Sequence, residues 1–307
     1  MASSLVIEVA AGAVIGGTSI LYVAVGESFS EAAGVVNLGT EGSMLVGALT
    51  GYAVAAETGN PWAGALAGAL AGGALGLLHA WLVLARKANQ LANGLVMLFL
   101  ALGLTSLFGA SYVSRESEPF AVWAVPGLSR LPAIGTIFFK HDALTYLTYL
   151  LVPLSFWVLY RSRWGLLIRG VGERKGVLAT YGHRVNLVQY GAVTFGGLLA
   201  GVGGAQLSTA YAHAWFENMT QGRGFVACAV VIFAARQPFK VTAGAYLFGA
   251  ALALSPALQA RGYGTNQFAL NAVPYLLIIA VLVVLGRKRA AEQPEGLKQV
   301  FEIAPST

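Results

Sequence analysis

Apolar runs long enough to cross a lipid bilayer recur along this chain, at 5–25, 40–56, 62–85, 91–113, 142–160, 189–211, 241–257 and 268–286, with a shorter run at 224–235. A hydrocarbon core about 30 Å thick takes roughly 20 residues of helix, because each residue rises about 1.5 Å. No water is available there to satisfy a peptide group, so continuous apolar runs of this length cross as helices. The expected fold is an all-α integral membrane protein, a polytopic helical bundle of about 8–10 transmembrane helices with broken or re-entrant segments. Only 10% of the residues are charged and 57% are hydrophobic. Roughly a quarter of a soluble globular chain is charged, so that class is excluded. The expected division is a membrane domain over 1–288 and a cytoplasmic tail over 289–307.

Between two of the runs lies one long basic interruption, 161–188, with Arg161, Arg163, Arg169, Arg174, Lys175 and Arg184 against the single acid Glu173. Loops rich in Lys and Arg stay in the cytosol. Strict alternation from that assignment puts Arg86, Lys87, Arg236, Lys240 and the tail on the same side, and Arg115, Arg130, Lys140, Arg223 and Arg261 on the other. It also puts the N-terminus outside, unless 27–39 contributes a crossing or a re-entrant half-helix. Within the basic loop, Gly172-Glu173 is expected to open a helix, with the acid in its first turn where the macrodipole favours it. Gly182 is expected to end that helix as a C′ glycine. Such a helix, held out in the cytosol, is either a docking and coupling element for a soluble partner or a topological anchor. The net charge of +6 is confined to loops and does not call for nucleic acid.

Gly64, Gly68, Gly72 and Gly76 recur every four residues, and Gly197 and Gly201 repeat the spacing. These are stripes on which another helix backbone can approach closely. Ionisable groups in hydrocarbon cost at least about 2.5 kcal/mol and ask for a reason. Glu27, Glu31 and Glu41 fall in one such segment, and the glycines around Asn37, Glu41 and Gly42 weaken a regular helix there. Asn37 and Glu41 either line a central pathway, or Glu41 caps a half-helix or pairs with a neighbouring basic residue. A second polar cluster holds Glu217, Asn218, Thr220, Gln221 and Arg223, just before Phe225. It reads either as an outer mouth or as a solvated loop with a Glu217–Arg223 pair. The four histidines show no metal spacing, Cys228 is the one cysteine and Asp142 the one aspartate. No catalytic residue and no metal site is expected, and no P-loop is present to hold a nucleotide. Moving a solute uphill would need a partner or an ion gradient.

Three blocks carry a family resemblance: 34–47 (GVVNLGTEGSMLVG), 164–182 from Trp164-Gly165 through Gly172-Glu173 to Gly182, and 219–225 (MTQGRGF), with a weaker fourth at Ala88-Asn89-Gln90. The chain resembles the permease subunits of bacterial ABC importers of the branched-chain amino acid/ribose class. Among those it looks most like the permeases of nucleoside importers. The resemblance implies that 165–182 is the coupling helix, with Gly165, Arg169, Gly172, Glu173 and Gly182 engaging the ATPase. This chain has Gly176-Val177-Leu178 where many such loops have Glu-Ala-Ala. It further implies ATP bound by a separate ATPase subunit and no cofactor on this chain. The other implied partners are a second homologous permease as heterodimer and an extracytoplasmic solute-binding lipoprotein, in a bacterial inner membrane. Asn37, Glu41, Gly42 and Phe225 would border the pathway, with Glu217, Thr220 and Arg223 at its outer mouth. A secondary transporter coupled to H⁺ or Na⁺ through Glu41 is the alternative. Branched-chain amino acids or sugars are alternative cargo.

Overall fold

A computed structural model describes residues 2–262 and, beyond them, 270, 272–280 and 283. The expected tail at 289–307 and part of the 268–286 run lie outside the described residues. Each of the other expected runs is one helix: α1 Ala2–Ala32, α2 Thr40–Thr58, α3 Pro61–Leu84, α4 Gln90–Gly109, then, after a short α5 Ile134–Phe138, α6 Ala143–Arg161, α8 Val185–Gln206, α9 Arg223–Phe233 and α10 Pro238–Gln259. α7, Arg163–Thr180, occupies the basic loop. Among the described residues six helices are long and apolar enough to span by themselves, namely α1, α3, α4, α6, α8 and α10. α2 carries two glutamates, and α9 has only 11 residues. The chain is a polytopic all-α membrane protein.

Local chemistry sets most helix starts. Asn60 accepts from the N–H groups of Trp62 and Ala63 with Pro61 in the first turn. Asn89 caps α4, Asp142 caps α6 and Ser162 caps α7, each through a backbone N–H three residues on. α2 ends at Gly59 in the left-handed conformation, φ 65°. The 114–141 connection folds over one end of the bundle, with Trp123–Ala124 paired antiparallel to Lys140–His141. Its Phe120 is buried, edge-on to Trp62 at 5.1 Å, and its N–H reaches the Thr209 carbonyl at 3.2 Å.

α1 is the central helix, buried along most of its length by α8, α9 and α10. The glycine stripe of α3 packs as the spacing predicts. A Cβ at Gly64 would strike the Gly51 carbonyl of α2, one at Gly68 the Gly47 carbonyl, and one at Gly72 the backbone of Gly197 and Gly201 in α8. α1 reaches α8 the same way, where Gly26 meets Gly196 and Ser19 meets Gly203. α4 by contrast turns Val96, Phe99, Leu107 and Phe108 outward, as a lipid-facing helix does.

The two ends of the bundle are chemically distinct. Ala32, Arg169, Glu173 and Arg236 line one cleft, and Gly34, Lys87, Arg174 and Gln189 line its neighbour, so these segments share one end. At the opposite end Arg115 bonds to Glu57, and Arg261 bonds to Glu8 at 2.9 Å. α1 runs unbroken to Ala32, and 33–39 is a turn rather than a crossing. The start of α1 therefore lies at the end away from α7.

Candidate functional site

α1 stops at Ala32 and α2 starts at Thr40; the backbone itself pairs some groups of the seven residues between them, such as the Gly34 and Val35 N–H, and leaves others without a helical partner. Inside a membrane each would cost several kcal/mol if left bare. Side chains from four helices, buried except for the half-buried Gln90, complete several of these. Gln189 of α8 donates to the Ala33 carbonyl at 2.9 Å, and Gln90 of α4 accepts from the Val36 N–H at 2.8 Å. His79 of α3 meets the Val36 carbonyl at 3.3 Å through Nε2, and its Nδ1 accepts from the Asn93 amide at 2.9 Å. Glu27 of α1 accepts from the Asn37 N–H at 2.8 Å. Gly34 supplies the reversal itself, φ 78°.

Glu41, in the first turn of α2, faces the start of α9. Its Oε1 accepts from Thr220 Oγ1 at 2.6 Å and from the Gly222 N–H at 2.8 Å, and its Oε2 from the Gly224 N–H. α9 has no side-chain cap of its own. A carboxylate from another helix takes that place, where the positive end of the α9 dipole favours it. Gly224 is needed for the approach, because a Cβ there would stand 2.6 Å from Glu41 Cα. Thr40 Oγ1 lies 3.3 Å from Cys228 Sγ, one turn further along α9. Two helix N-termini thus converge on one buried carboxylate, an arrangement that membrane transporters use at mid-depth.

The connection into α9 is re-entrant. After a π-turn at Leu207–Tyr211 the chain folds back through 212–222, with His213, Asn218 and Gln221 all at positive φ, and Gly222 at 82°. Arg223 then reaches Ser19 Oγ, half-way along α1, at 3.4 Å, with its guanidinium 5.1 Å from the Tyr211 ring. Thr220 is buried beside Glu41, and Arg223 is half-buried against α1. Glu217, Asn218 and Gln221 are exposed on its flank. The alternative Glu217–Arg223 pair is not formed.

Of the four expected pathway residues, Asn37 and Glu41 are buried at the junction, 0% and 2% exposed. Gly42 instead seats α4, where a Cβ would stand 2.8 Å from the Met97 carbonyl. Phe225 is half-buried on α9. Both polar atoms of the Asn37 amide, together with Glu27 Oε2 and Glu31 Oε1, have no hydrogen-bond partner among the described residues. Sequence reasoning missed His79, Gln90 and Gln189 as parts of this site. Their signal was a polar side chain inside or at the edge of an apolar run.

α7 begins at Arg163 on the Ser162 cap, nine residues before Gly172, where the Gly172-Glu173 start was expected. Glu173 is therefore not in its first turn; it immediately precedes a break in the helix at Arg174, φ −141° and ψ 71°. Gly182 does close the helix, φ 81°, with the His183 N–H on the Leu178 carbonyl at 3.2 Å. Gly165 packs against the Val158 and Leu159 carbonyls of α6, and Arg169 stacks 5.2 Å from the Tyr160 ring. Gly172 lies against the backbone of Ala32 and Gly34, and a Cβ at Gly34 would stand 3.1 Å from Gly172 Cα. The basic-loop helix thus touches the α1–α2 break with no side chain between. Among the described residues no three His, Cys, Asp or Glu side chains gather as a metal site.

A polytopic helical bundle with broken helices meeting at a buried carboxylate, and a basic helix braced on that break, defines a transport protein. The family of branched-chain amino acid transport system permease components matches residues 9–285, and this chain belongs to it. It is 40% identical over 287 residues to a putative glucose ABC transporter permease of Haloferax volcanii, covering 86% of this chain and 87% of that one. It is 32% identical over 286 residues to a guanosine ABC transporter permease of Bacillus subtilis, covering 88% and 90%. A nucleoside ABC transporter permease of Lactococcus lactis is 30% identical over 297 residues, covering 92% and 93%. No solved structure matches. The chain is an ABC transporter permease, a transport component and not an enzyme.

Proposed function

We propose that this permease imports a nucleoside across a prokaryotic plasma membrane, driven by ATP hydrolysis on a separate ATPase subunit that pushes on α7. The observation that carries the reading is the contact of Gly172 with Ala32 and Gly34. A displaced α7 presses directly on the turn that leads to Asn37 and Glu41. The membrane helices would then exchange inward- and outward-open arrangements, an equilibrium biased by nucleotide and by the loaded binding protein. Arg86, Lys87, Arg236 and Lys240 gather at the same end as α7, which supports a cytoplasmic α7 under the positive-inside rule. The opposite end would receive an extracytoplasmic solute-binding lipoprotein.

In this reading Asn37 and Glu41 border the pathway, and the exposed flank of 216–221 faces a second, homologous permease chain in a heterodimer. Gly165, Arg169, Gly172, Glu173 and Gly182 shape and present the coupling helix. ATP is bound only by the ATPase partner. Two relatives are named for nucleosides, which supports that cargo. The relative named for glucose supports a sugar as the second reading.

Affinity purification in mild detergent tests the class: a P-loop ATPase and a solute-binding lipoprotein should accompany the chain, and ligand screening of the lipoprotein should return nucleosides. Glu173→Arg, or Val177→Pro in the last turns of α7, should abolish substrate-stimulated ATP hydrolysis while membrane insertion stays intact. Uptake that collapses with an uncoupler and ignores the ATPase would replace this reading by an ion-coupled one.

A further inference from the structure

The C-terminal half of α7 and the turn joining α3 to α4 face each other across a cleft of about 700 Å³, lined in part by Lys87, Gln90, Arg174, Lys175 and Gln189. Glu173 is the one acid on its lining, and Arg86 precedes Lys87 in the turn. No described carboxylate lies within ion-pair distance of Lys87, Arg174 or Lys175. Lys175 donates instead to a neutral amide, with Nζ 2.7 Å from Gln189 Oε1. The other end of that amide holds the Ala33 carbonyl at 2.9 Å. Burial, and then the like charge of Lys87, push the Lys175 ammonium below its ordinary value. Lys87, Arg174 and Lys175 are exposed, yet they line one cleft, and Lys175 is already bonded to the amide that braces the α1–α2 break.

We propose that this cleft receives a carboxylate-bearing segment of the ATPase subunit, and that Lys175 exchanges Gln189 for that carboxylate as the subunit seats. The inference rests on the ATP-driven reading above and adds to it the chemistry of the partner surface. A hydrogen bond to an ionised acceptor is roughly twice as strong as one to a neutral acceptor, so an arriving carboxylate outcompetes the amide. Gln189 is then held only by the Ala33 carbonyl, and the turn leading to Asn37 loses one of its ties to α7. Docking is thereby converted into a change at the break.

The experiment uses the full chain co-expressed with its ATPase subunit and purified in detergent. Lys87→Glu with Lys175→Glu should weaken retention of the ATPase by about tenfold or more, with the thermal midpoint and elution volume of the permease unchanged. Wild-type retention should also fall as salt rises, because the contact is between charges near water. Should the double reversal fail to fold, Lys87→Gln with Lys175→Gln makes the same test with a smaller loss. Gln189→Leu removes the competing acceptor, so the ATPase should bind at least as tightly while its hydrolysis loses stimulation by loaded binding protein. Wild-type affinity in the charge variants, or weaker binding in Gln189→Leu, overturns the proposal. If inorganic phosphate binds the cleft without displacing the ATPase, the site is a free-anion site and the proposal also falls. Absence of any P-loop ATPase from the wild-type complex would instead strike the functional reading itself.

Discussion

The glycine contacts of α3 with α2 and α8, and the break between α1 and α2, solve the same problem in opposite ways. Lipid offers no hydrogen bonds, so every backbone group must be satisfied by protein. Along α3 the helices satisfy themselves, and removing side chains at Gly64, Gly68, Gly72, Gly47 and Gly201 lets their backbones touch. At the break the helices stop, and side chains are supplied: Glu27, His79, Gln90 and Gln189 each complete one peptide group of 33–37. The first region offers one close-packed arrangement. The second is held by discrete hydrogen bonds that can be exchanged, and in this fold α7 is applied to that second region.

The comparison is easiest to break from the glycine side. Gly201 to Leu puts a side chain where even a Cβ would strike the Gly68 carbonyl. Overpacking costs typically about 1–3 kcal/mol and more where backbone must move. Both α3 and α8 would have to separate, so the upper end is expected. The thermal midpoint in detergent should fall steeply and complex assembly should be lost. A Gly201→Leu variant that melts with the wild type would show that the helices are not in backbone contact.

A smaller and more selective effect is expected at Glu41. Glu41→Ala leaves the N–H groups of Gly222 and Gly224 and the Thr220 hydroxyl without their acceptor. A buried group left so costs about 1–3 kcal/mol, and deleting a carboxylate that was itself costly to bury offsets much of the sum. Glu41→Gln keeps one acceptor oxygen but faces the other N–H with an amide, and should fall between. Transport should fail in both, while α3 and α8 stay packed. Protease resistance of the α3–α4 region beside measured uptake separates the two regions. Equal loss of both would make Glu41 a general structural residue and erase the distinction.

This contrast was partly legible in the sequence. The spans could be read because lipid demands continuous apolar helices, and the Gly64–Gly76 stripe because its spacing keeps one face. Gly182 announced its own φ. The partner of Glu41 could not be read, since Thr220, Gly222 and Gly224 lie far along the chain and only the tertiary fold brings them together. The same holds for Gln189 with Ala33. Read from the residues alone, the start of α7 was drawn to the glycine and acid at 172–173 although Ser162 stands where a cap belongs, whereas the family resemblance, with 165–182, came within two residues of Arg163. Arg223 was expected at an outer mouth because it borders an apolar run, and only the fold shows it reaching Ser19 of α1.

The smallest expected effect sharpens the comparison from a third position on the same helix. α2 carries buried Glu41 in its first turn and Glu57, which bonds to Arg115 in the open, near its end. The hydrogen bond from Arg115, then its charge, hold the Glu57 carboxyl below the usual carboxylate value. A carboxyl whose folded value is depressed contributes stability that is present above its unfolded value and fades as pH falls through the folded one. Water screens an exposed pair, however, and such pairs contribute little. Glu57→Gln should leave the thermal midpoint at neutral pH within experimental scatter. It should also flatten slightly the decline of the midpoint in acid, below the ordinary carboxylate range. A loss approaching that of Glu41→Gln would mean that carboxylates on α2 stabilise by charge alone. The expected gap between them reflects what Glu41 alone does, which is to terminate a second helix in a place water does not reach.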